Sequence, residues 1–309
     1  MGKFLKVLKY LFCSPLHFVD SCTIRLNRYL PAKLYLSIRY RCNVGKWINW
    51  KTPKTFTEKI QWLKVYGFKP EYTKMVDKYA VKSFVASRIG NEYIIPTLGV
   101  WDMVENIGWD SLPDRYVLKI TDEGGSNGVF ICSDPLTFDK QKVICRMSQI
   151  MNKPKAKIDL HRELPYIGIQ RKIIAEEFLK ASDNSELSDY KFFCFNGEPQ
   201  FCQVIRDRRT EETIDFYDMK WKHMPFVGLN SLLNPFVKNG LTAVEKPHAL
   251  DVMIDICRKL SKDIPFVRID LYYVDNKVYF GEITFYPASG LGSFFPPEWD
   301  DKLGSMLEL

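Results

Sequence analysis

Two acids and an arginine near residue 270 are the side chains whose spacing is best suited to chemistry. Residues 267–290 read VRIDLYYVDNKVYFGEITFYPASG, and their alternation predicts two β-strands joined by a turn at residues 275–276. Side chains two apart on a strand lie on the same face, so Arg268 accompanies Asp270 on the first strand. On the second strand, Glu282 and Thr284 share a face. An antiparallel hairpin therefore brings Asp270 within reach of Glu282.

The chemistry of this hairpin depends on what lies between its two acids. Two carboxylates and an arginine are costly to bury unless a cation lies between the acids. A magnesium ion carrying a nucleotide phosphate is suitable, because it binds one or two protein carboxylates together with phosphate oxygens. The alternative is an exposed hairpin with a solvated salt bridge.

Composition places the chain among ordinary globular proteins. Its 309 residues can bury one large core or two modest ones, and 46% of them are hydrophobic against 26% charged. The eight cysteines form no CxxC pair and the four histidines are far apart, so neither a zinc site nor a disulfide framework is indicated. We therefore expect a cytoplasmic protein.

Positive charge is concentrated at the N-terminal end. Residues 1–50 carry nine Lys and Arg against the single acid Asp20, while the remaining chain is close to neutral. Residues 3–12, KFLKVLKYLF, predict a basic amphipathic helix, which either contacts the anionic inner face of a membrane or packs on its own domain. A basic patch confined to one end favours an anionic surface over a nucleic-acid groove. No stretch reaches the ~18 apolar residues of a membrane span.

A glycine-rich hairpin is predicted in the middle of the chain. The strand 116–120, YVLKI, carries Lys119, and the sequence TDEGGSNGVF follows before a second strand begins at Val129. Glycine lets backbone amides approach a phosphate closely. Because no helix follows, this is neither a P-loop nor a dinucleotide fingerprint. A mobile turn is the alternative interpretation.

Two further segments carry candidate binding groups. In the run IIAEEFLK, Glu176 and Glu177 end a buried strand, which indicates either a strand end in solvent or an edge that binds an adenine amino group and a ribose hydroxyl. Residues 189–204, DYKFFCFNGEPQFCQV, predict a β-hairpin around an Asn-Gly turn with Lys191 on its first strand. Capping-box spacing at Thr55 and Glu58 predicts a helix, and residues 247–262 predict another.

Taken in order, these motifs resemble the ATP-grasp superfamily, and in particular its teichuronopeptide-biosynthesis-like branch, found in loci for surface polysaccharides. The resemblance covers roughly residues 55–309 and leaves residues 1–50 outside. It depends on the motifs TFTEKIQWLK (55–64), DKYAVK (77–82), YVLK…GGSNGV, DYKFFCFNG, FYDMKW and YFGEITFYPASG.

The resemblance implies an α+β ATP-grasp fold in which two lobes with antiparallel sheets clamp ATP. On this sequence, residues 1–50 would form a basic helical segment and residues 51–115 a region that precedes the clamp. Residues 116–180 would form the small lobe, and residues 181–309 the large lobe with the metal site.

The resemblance also implies roles for single residues at the nucleotide. It assigns the α- and β-phosphates to Lys119, and the β- and γ-phosphates to the loop Gly124, Gly125, Ser126, Asn127 and Gly128. It assigns the adenine to Glu176 with the backbone of Phe178 and Leu179, and the ribose to Glu177, Asp183 or Glu186.

The metal and substrate roles are implied in the same way. Asp270 and Glu282 would bind Mg²⁺, with Thr284 where the superfamily usually has asparagine, which leaves the second metal position open. The catalytic residues would be Arg268 and Lys191, which stabilise the transferring phosphate and the developing oxyanion. The substrate would meet Arg206, Arg208, Ser289 and Gly290.

The implied activity is that of an ATP- and Mg²⁺-dependent ligase that joins a carboxylate to an amine through an acyl phosphate. A uronic-acid sugar of a surface glycan is the expected carboxylate, and an amino acid or amine the expected partner. One alternative is a glycosyltransferase, although the chain contains no Asp-x-Asp pair. Another is a non-catalytic binding protein with this fold.

Overall fold

The computed structural model describes residues 15–125, 127–154, 159–180, 188–206, 212–233 and 238–309. Several predictions fall outside these residues: the amphipathic helix at 3–12, the loop residue Ser126, the substrate residue Arg208, and the ribose candidates Asp183 and Glu186.

A four-stranded antiparallel sheet forms the smaller of the two main sheets. Its strands are β1 (Thr97–Trp101), β2 (Tyr116–Ile120), β3 (Val129–Cys132) and β4 (Ile173–Glu177), in the order β1-β4-β2-β3. Helix α6 (Lys140–Met151) packs on it through Met147. Strand β1 comes from the segment that was predicted to precede the clamp, so this sheet extends to residues before 116.

A five-stranded antiparallel sheet forms the larger unit. It comprises β5 (Ser188–Phe195), β6 (Glu198–Arg206), β7 (Thr213–Asp218), β9 (Phe266–Val274) and β10 (Lys277–Thr284), in the order β10-β9-β5-β6-β7. Helix α7 (Leu250–Ser261) covers one face, where Cys257 meets Cys194. The next residue, Phe195, points to the opposite face and packs on Phe56. Strands β8 (Val227–Asn230) and β11 (Ser293–Phe295) form a separate ribbon.

The remaining helices surround these sheets. They are α1 (Pro15–Arg25), α2 (Ala32–Val44), α3 (Phe56–Tyr66), α4 (Tyr72–Val76), α5 (Val81–Ile89) and α8 (Glu298–Met306). The capping box predicted at Thr55 is present, since its side chain accepts from the backbone of Glu58 and the Glu58 side chain accepts from the backbone of Thr55. Within the described residues, no helix is long and apolar enough to cross a membrane.

Helix α5 begins at Val81, after a turn at residues 77–80. The Asp77 carboxylate accepts hydrogen bonds from the backbone amides of Tyr79, at 2.8 Å, and Ala80, at 3.0 Å. Such side-chain bonds stabilise a turn in competition with the helix. The segment 77–80 therefore forms a turn, and this turn places Lys78 ahead of the helix.

Candidate functional site

The hairpin of β9 and β10 forms as predicted and pairs the expected side chains. Asp270 lies opposite Glu282, and Arg268 lies opposite Thr284. The two turn residues, 275 and 276, both have positive φ, at 48° and 63°, as a tight hairpin turn requires. The register shifts between Phe280 and Glu282, which is the signature of a β-bulge that re-aims the side chains beside it.

The cation between the two acids is a protein side chain. The guanidinium of Arg268 donates to both carboxylate oxygens of Asp270, at 2.7 and 2.8 Å, and to Oε1 of Glu282 at 2.8 Å. Lys191 donates to Oδ2 of Asp270 and forms an ion pair with Asp189 at 2.7 Å. The predicted acids and both predicted catalytic cations therefore lie together.

The charges of this cluster determine the direction in which the pKa of Asp270 shifts. Burial alone would raise the pKa of Asp270, but the positive charges of Arg268 and Lys191 outweigh it and hold that pKa below its usual range. The two carboxylates differ in exposure, since the Asp270 side chain is 2% exposed and that of Glu282 is 42% exposed. Asp270 is therefore ionised and enclosed, while Glu282 reaches into open space.

The oxygen donors of this cluster suit a magnesium ion that also binds phosphate. Two carboxylates are the protein contribution that such an ion usually receives. Thr284 is already engaged, because its hydroxyl accepts from Arg268 at 3.1 Å and donates to Glu282 at 3.2 Å. Among the residues that the structure describes, no group of three or more metal-binding side chains is found. The donor set therefore fits one ion held jointly with a ligand.

A second charged cluster lies on the small sheet. Glu176 is 4% exposed, and its carboxylate lies 2.5 Å from Nζ of Lys119 and 2.6 Å from Nζ of Lys82. Burial would raise the pKa of Glu176, yet the two lysines hold it below its usual value. Glu176 lies inside β4 between two neighbouring strands, so it is enclosed and not a strand end in solvent.

Lys82 and Lys78 were given no role by the sequence analysis. Both belong to the motif DKYAVK, and the presence of two lysines in this motif was the sequence feature that could have identified them. Burial lowers the pKa of Lys78, and the strongest charges that act on it are those of Glu282 and Lys119. Lys78 therefore lies between a residue of the large sheet and a residue of the small sheet.

The charges of both clusters also act on Tyr272, which lies on β9 of the large sheet. Burial raises its pKa, and the carboxylates of Asp189, Glu282, Asp270 and Glu176 raise it further. Acids of the large sheet and the buried acid of the small sheet thus act on one phenol. The charges of the two clusters therefore act on the same side chains, Lys78 and Tyr272, and we call the space between the clusters the cleft.

The glycine hairpin connects β2 and β3 as predicted, at the edge of the small sheet. A Cβ added at Gly124 or Gly125 would meet no atom within 4 Å, and Gly125 has φ = 60°. Asn127 donates to Glu123 at 2.7 Å and accepts from Arg146 at 2.6 Å. The loop therefore has open space on its glycine side and a polar anchor on the other.

The adenine and ribose candidates lie at the end of β4. The amide of Glu177 donates to the carbonyl of Pro96 at 3.1 Å, and the Glu177 side chain is exposed. Phe178 and Leu179 follow the strand and are partly buried. Their backbone is thus available beside the Glu176 cluster.

Arg206 does not lie on the face of the large sheet that carries Lys191. Lys191 pairs with Gln203 on β6, and Arg206 is three residues further on, so its side chain points to the opposite face of the sheet. There its guanidinium lies 2.8 Å from Asp215, which is 1% exposed. The substrate role predicted for Arg206 is therefore not supported by its position, because strand alternation turns it away from Lys191.

Ser289 and Gly290 lie in the turn that follows β10. The hydroxyl of Ser289 donates to Glu163 at 2.7 Å and accepts from the buried Lys64 at 2.6 Å. Gly290 accepts from Gln61 at 2.8 Å through its carbonyl. These residues thus contact a third charged cluster, whose members Lys64 and Glu163 the sequence analysis did not identify.

Tyr166 lies between this third cluster and the hairpin. Burial raises its pKa strongly, and the charges that act on it include Glu163, Glu282 and Arg268. The turn with Ser289 also begins only a few residues after Thr284. The third cluster is therefore adjacent to the Asp270–Glu282 cluster.

Comparison with known proteins identifies the class. The family model described as TupA-like ATPgrasp matches residues 58–308. The protein has the ATP-grasp fold, as predicted. The chain belongs to the TupA-like ATP-grasp family.

Individual relatives are distant. No curated protein matches the chain. The D-alanine–D-alanine ligase from Bacillus anthracis complexed with ATP is 15% identical, covering 69% of this chain and 54% of that one, with a TM-score of 0.38. The corresponding ligase from Helicobacter pylori is 15% identical over 82% and 69%, with a TM-score of 0.40. The ATP-grasp ligase PsnB complexed with minimal precursor, Mg and ADP is 9% identical over 74% and 57%, at 0.38.

Proposed function

We propose that the protein is an ATP- and Mg²⁺-dependent ligase that joins a carboxylate to an amine through an acyl phosphate. The observation that carries this proposal is the pair of charged clusters, whose charges both act on Lys78 and Tyr272. The small sheet contributes Lys119 next to Lys82, and the large sheet contributes Asp270 and Glu282 with their cations. Family membership agrees with a nucleotide in that cleft.

Each cluster has a separate task in this proposal. Lys119 and Lys82 bind the phosphates of ATP. Glu176, which the resemblance assigned to the adenine, is paired with both lysines and instead fixes the positions of their ammonium groups. Asp270 and Glu282 hold Mg²⁺, which neutralises phosphate charge when it is bound. Phosphoryl transfer needs mainly positioning and charge neutralisation, and the chain supplies both.

Arg268 and Lys191 serve the transfer itself. As the γ-phosphoryl group moves to the acceptor carboxylate, negative charge spreads over its oxygens, and the guanidinium of Arg268 is positioned to offset it. Transfer breaks the bond between the γ-phosphorus and the oxygen of the β-phosphate, so ADP is released and an acyl phosphate forms. The amine then attacks the acyl carbon, the C–N bond forms as the bond from that carbon to the phosphate oxygen breaks, and inorganic phosphate leaves while the amine proton passes to solvent. The glycine loop 124–128 closes over the cleft and excludes water from the intermediate.

The acceptor and the location are also part of the proposal. A uronic-acid sugar of a surface polysaccharide is the carboxylate, and an amino acid or amine is the nucleophile. The protein works in the cytoplasm, where both ATP and activated sugars are available. The resemblance of the ordered motifs to proteins of polysaccharide loci supports this choice.

A non-catalytic binding role is the second candidate, and one observation favours it. Both oxygens of Asp270 already receive hydrogen bonds from Arg268, and Lys191 adds another. A metal ion would have to compete with these cations. A protein that only binds a ligand in the cleft would show no ADP release.

The test is incubation with Mg-ATP and a panel of uronates and amino acids, with ADP and product mass as readouts. We expect amide formation, and we expect Glu282→Gln to reduce ADP release about 100-fold, because removal of one charge-stabilising group has effects of this size. Glu282 is partly exposed, so the variant should fold. Glu198→Gln, at an exposed ion pair with Arg258, is the matched control. Unchanged turnover in Glu282→Gln contradicts the metal assignment.

A further inference from the structure

A cavity of about 510 Å³ opens beside the turn that follows β10. Helix α2, the segment 159–163, the end of β8 and the turn itself all contribute to its wall. Helix α2 precedes residues 58–308, which the family model matches, whereas the other parts of the wall lie within them. The polar side chains that line the cavity are Arg39, Asn43, His161, Glu163, Ser231 and Ser289.

The charges around this cavity are paired. Nε of Arg39 lies 3.0 Å from Oδ1 of Asp20, and Nζ of Lys64 lies 3.2 Å from Oε1 of Glu163. All four side chains are largely buried, so solvent screens the attraction within each pair only weakly. The charges of these four groups therefore cancel and give the lining no net charge.

His161 is neutral in this setting. Nη1 of Arg39 lies 3.4 Å from Nδ1 of His161, and because a guanidinium only donates, Nδ1 must accept. The hydrogen of the neutral ring is then on Nε2. Burial lowers the pKa of His161, which agrees with an uncharged ring. His161 thus offers the cavity an N–H donor and no charge.

Donor and acceptor groups remain for a ligand. Within the described part of the chain, Oε2 of Glu163 and Nε2 of His161 make no hydrogen bond. Tyr286 and Leu291 contribute apolar surface to the same cavity. An anion would meet the carboxylate of Glu163, and an ammonium group would meet Arg39 and Lys64.

We propose that this cavity binds the uncharged, hydroxyl-bearing ring of a sugar. Ring hydroxyls donate to Glu163 and accept from His161, while the C–H face of the ring packs on Tyr286. The inference rests on the proposed function, in which this sugar carries the acceptor carboxylate. That carboxylate would lie towards Glu282. The turn is pre-organised for contact, since Ala288 and Ser289 have φ of 46° and 57° and the carbonyl of Ser289 accepts hydrogen bonds from Gln61 and Lys64.

The test is saturation-transfer NMR with methyl β-D-glucopyranoside as an uncharged probe, without nucleotide. We expect a dissociation constant on the order of 1–10 mM, as for a small neutral ligand. Leu233→Trp, which fills the cavity from its lining and alters no charge, should weaken binding at least about tenfold. Leu136→Trp, at a side chain that is 95% exposed, is the matched control.

Three results would overturn the inference: no binding of the glycoside to the wild type, equal binding in Leu233→Trp, or binding of glucuronate without the neutral glycoside. The ligase proposal fails separately. Glycoside binding without ADP release leaves the sugar cavity intact and removes the ligase, whereas ADP release without glycoside binding leaves the ligase and removes the sugar cavity.

A different surface supports a second, independent inference. Around the turn between α1 and α2, the side chains of Tyr29, Leu26 and Leu34 are 71%, 48% and 48% exposed. Beside them lie exposed basic residues, Arg25, Arg28 and Lys33. The only acid among residues 1–50, Asp20, is buried and paired with Arg39. This surface, which we call the basic turn, thus combines positive charge with exposed apolar groups.

We infer that the basic turn docks on an anionic lipid surface. Basic side chains are attracted to acidic headgroups, and tyrosine and leucine insert at the level of the interface. Charge complementarity and exposed apolar side chains together favour a membrane over a protein or nucleic-acid partner. Docking there would also place α2, which lines the sugar cavity, at the membrane face.

Vesicle co-sedimentation tests this inference. The full chain should bind vesicles with about one third phosphatidylserine and not vesicles of phosphatidylcholine alone. The triple variant Arg25→Gln, Arg28→Gln, Lys33→Gln should bind about 100-fold more weakly, since each of the three basic residues contributes about fivefold. The triple variant Lys74→Gln, Lys153→Gln, Lys302→Gln, with equal loss of charge elsewhere, is the control. Equal loss in both variants, or equal binding to both kinds of vesicle, would overturn it.

Discussion

At the scale of single residues, the candidate site contains two buried acids that are each held between two cations. Glu176 lies between Lys82 and Lys119, and Asp270 lies between Arg268 and Lys191. A buried carboxylate with one partner removed is strongly destabilising, because an unpaired charge remains. The pairs therefore keep the lysines ordered in the cleft.

Glu176 gives the first prediction, which concerns pH. Its pKa is lowered in the folded state, so its contribution to stability is present above its ordinary value of 4.5 and is lost as the pH falls through the lower folded value. Glu176→Gln should lower the free energy of unfolding at pH 7 by about 3 kcal/mol. It should also flatten the acid limb of the stability curve, as measured by urea unfolding across pH. An equally steep acid limb in the variant would contradict the assignment.

Lys82 gives the second prediction, which concerns the nucleotide. Lys82→Met removes one phosphate-binding charge, and we expect the Kd for Mg-ATP to rise about tenfold or more, as for a lost charge-assisted hydrogen bond. Isothermal titration calorimetry measures this. Lys180→Met, just beyond β4, is the matched control. If both variants bind Mg-ATP as the wild type does, Lys82 has only a structural role.

At the scale of elements, the local signals in the sequence were sufficient for the strands and turns near the site. The Asn196-Gly197 turn has positive φ at both residues, 50° and 85°, and forms the hairpin that carries Lys191. The turn at residues 275–276 sets the register as far as the pair of Phe280 and Leu271, and the β-bulge that follows places Glu282 opposite Asp270. The register on which the metal proposal depends therefore needs the bulge as well as the turn.

The helix α3 allows a prediction at this scale. Thr55→Ala removes the side-chain acceptor for the amide of Glu58, which lies at 3.2 Å. Loss of an N-cap should cost about 1 kcal/mol in the free energy of unfolding. Thr52→Ala, in the exposed loop just before, should cost less than about 0.5 kcal/mol. Chemical denaturation of both variants checks this, and equal costs would argue against the capping box.

At the scale of the whole molecule, the cleft is formed by contacts between distant segments, which no local sequence pattern predicts. The ion pair of Lys191 and Asp270 joins positions 79 residues apart, and the hydrogen bond from Ser289 to Glu163 joins positions 126 residues apart. The sequence predicted Asp270 and Glu282 together because one hairpin holds them. It missed Lys82 and Glu163, whose partners come from distant segments, and it could not tell which face of the sheet Arg206 would take.

The most direct test is a crystal structure of the protein with Mg²⁺ and a non-hydrolysable ATP analogue. The account predicts the triphosphate between Lys119 and Glu282, with the metal ion on Asp270 and Glu282 and the glycine loop 124–128 over the phosphates. A nucleotide bound elsewhere, or a cleft that stays empty while Arg268 and Lys191 still hold Asp270 at saturating Mg²⁺ and analogue, would contradict it.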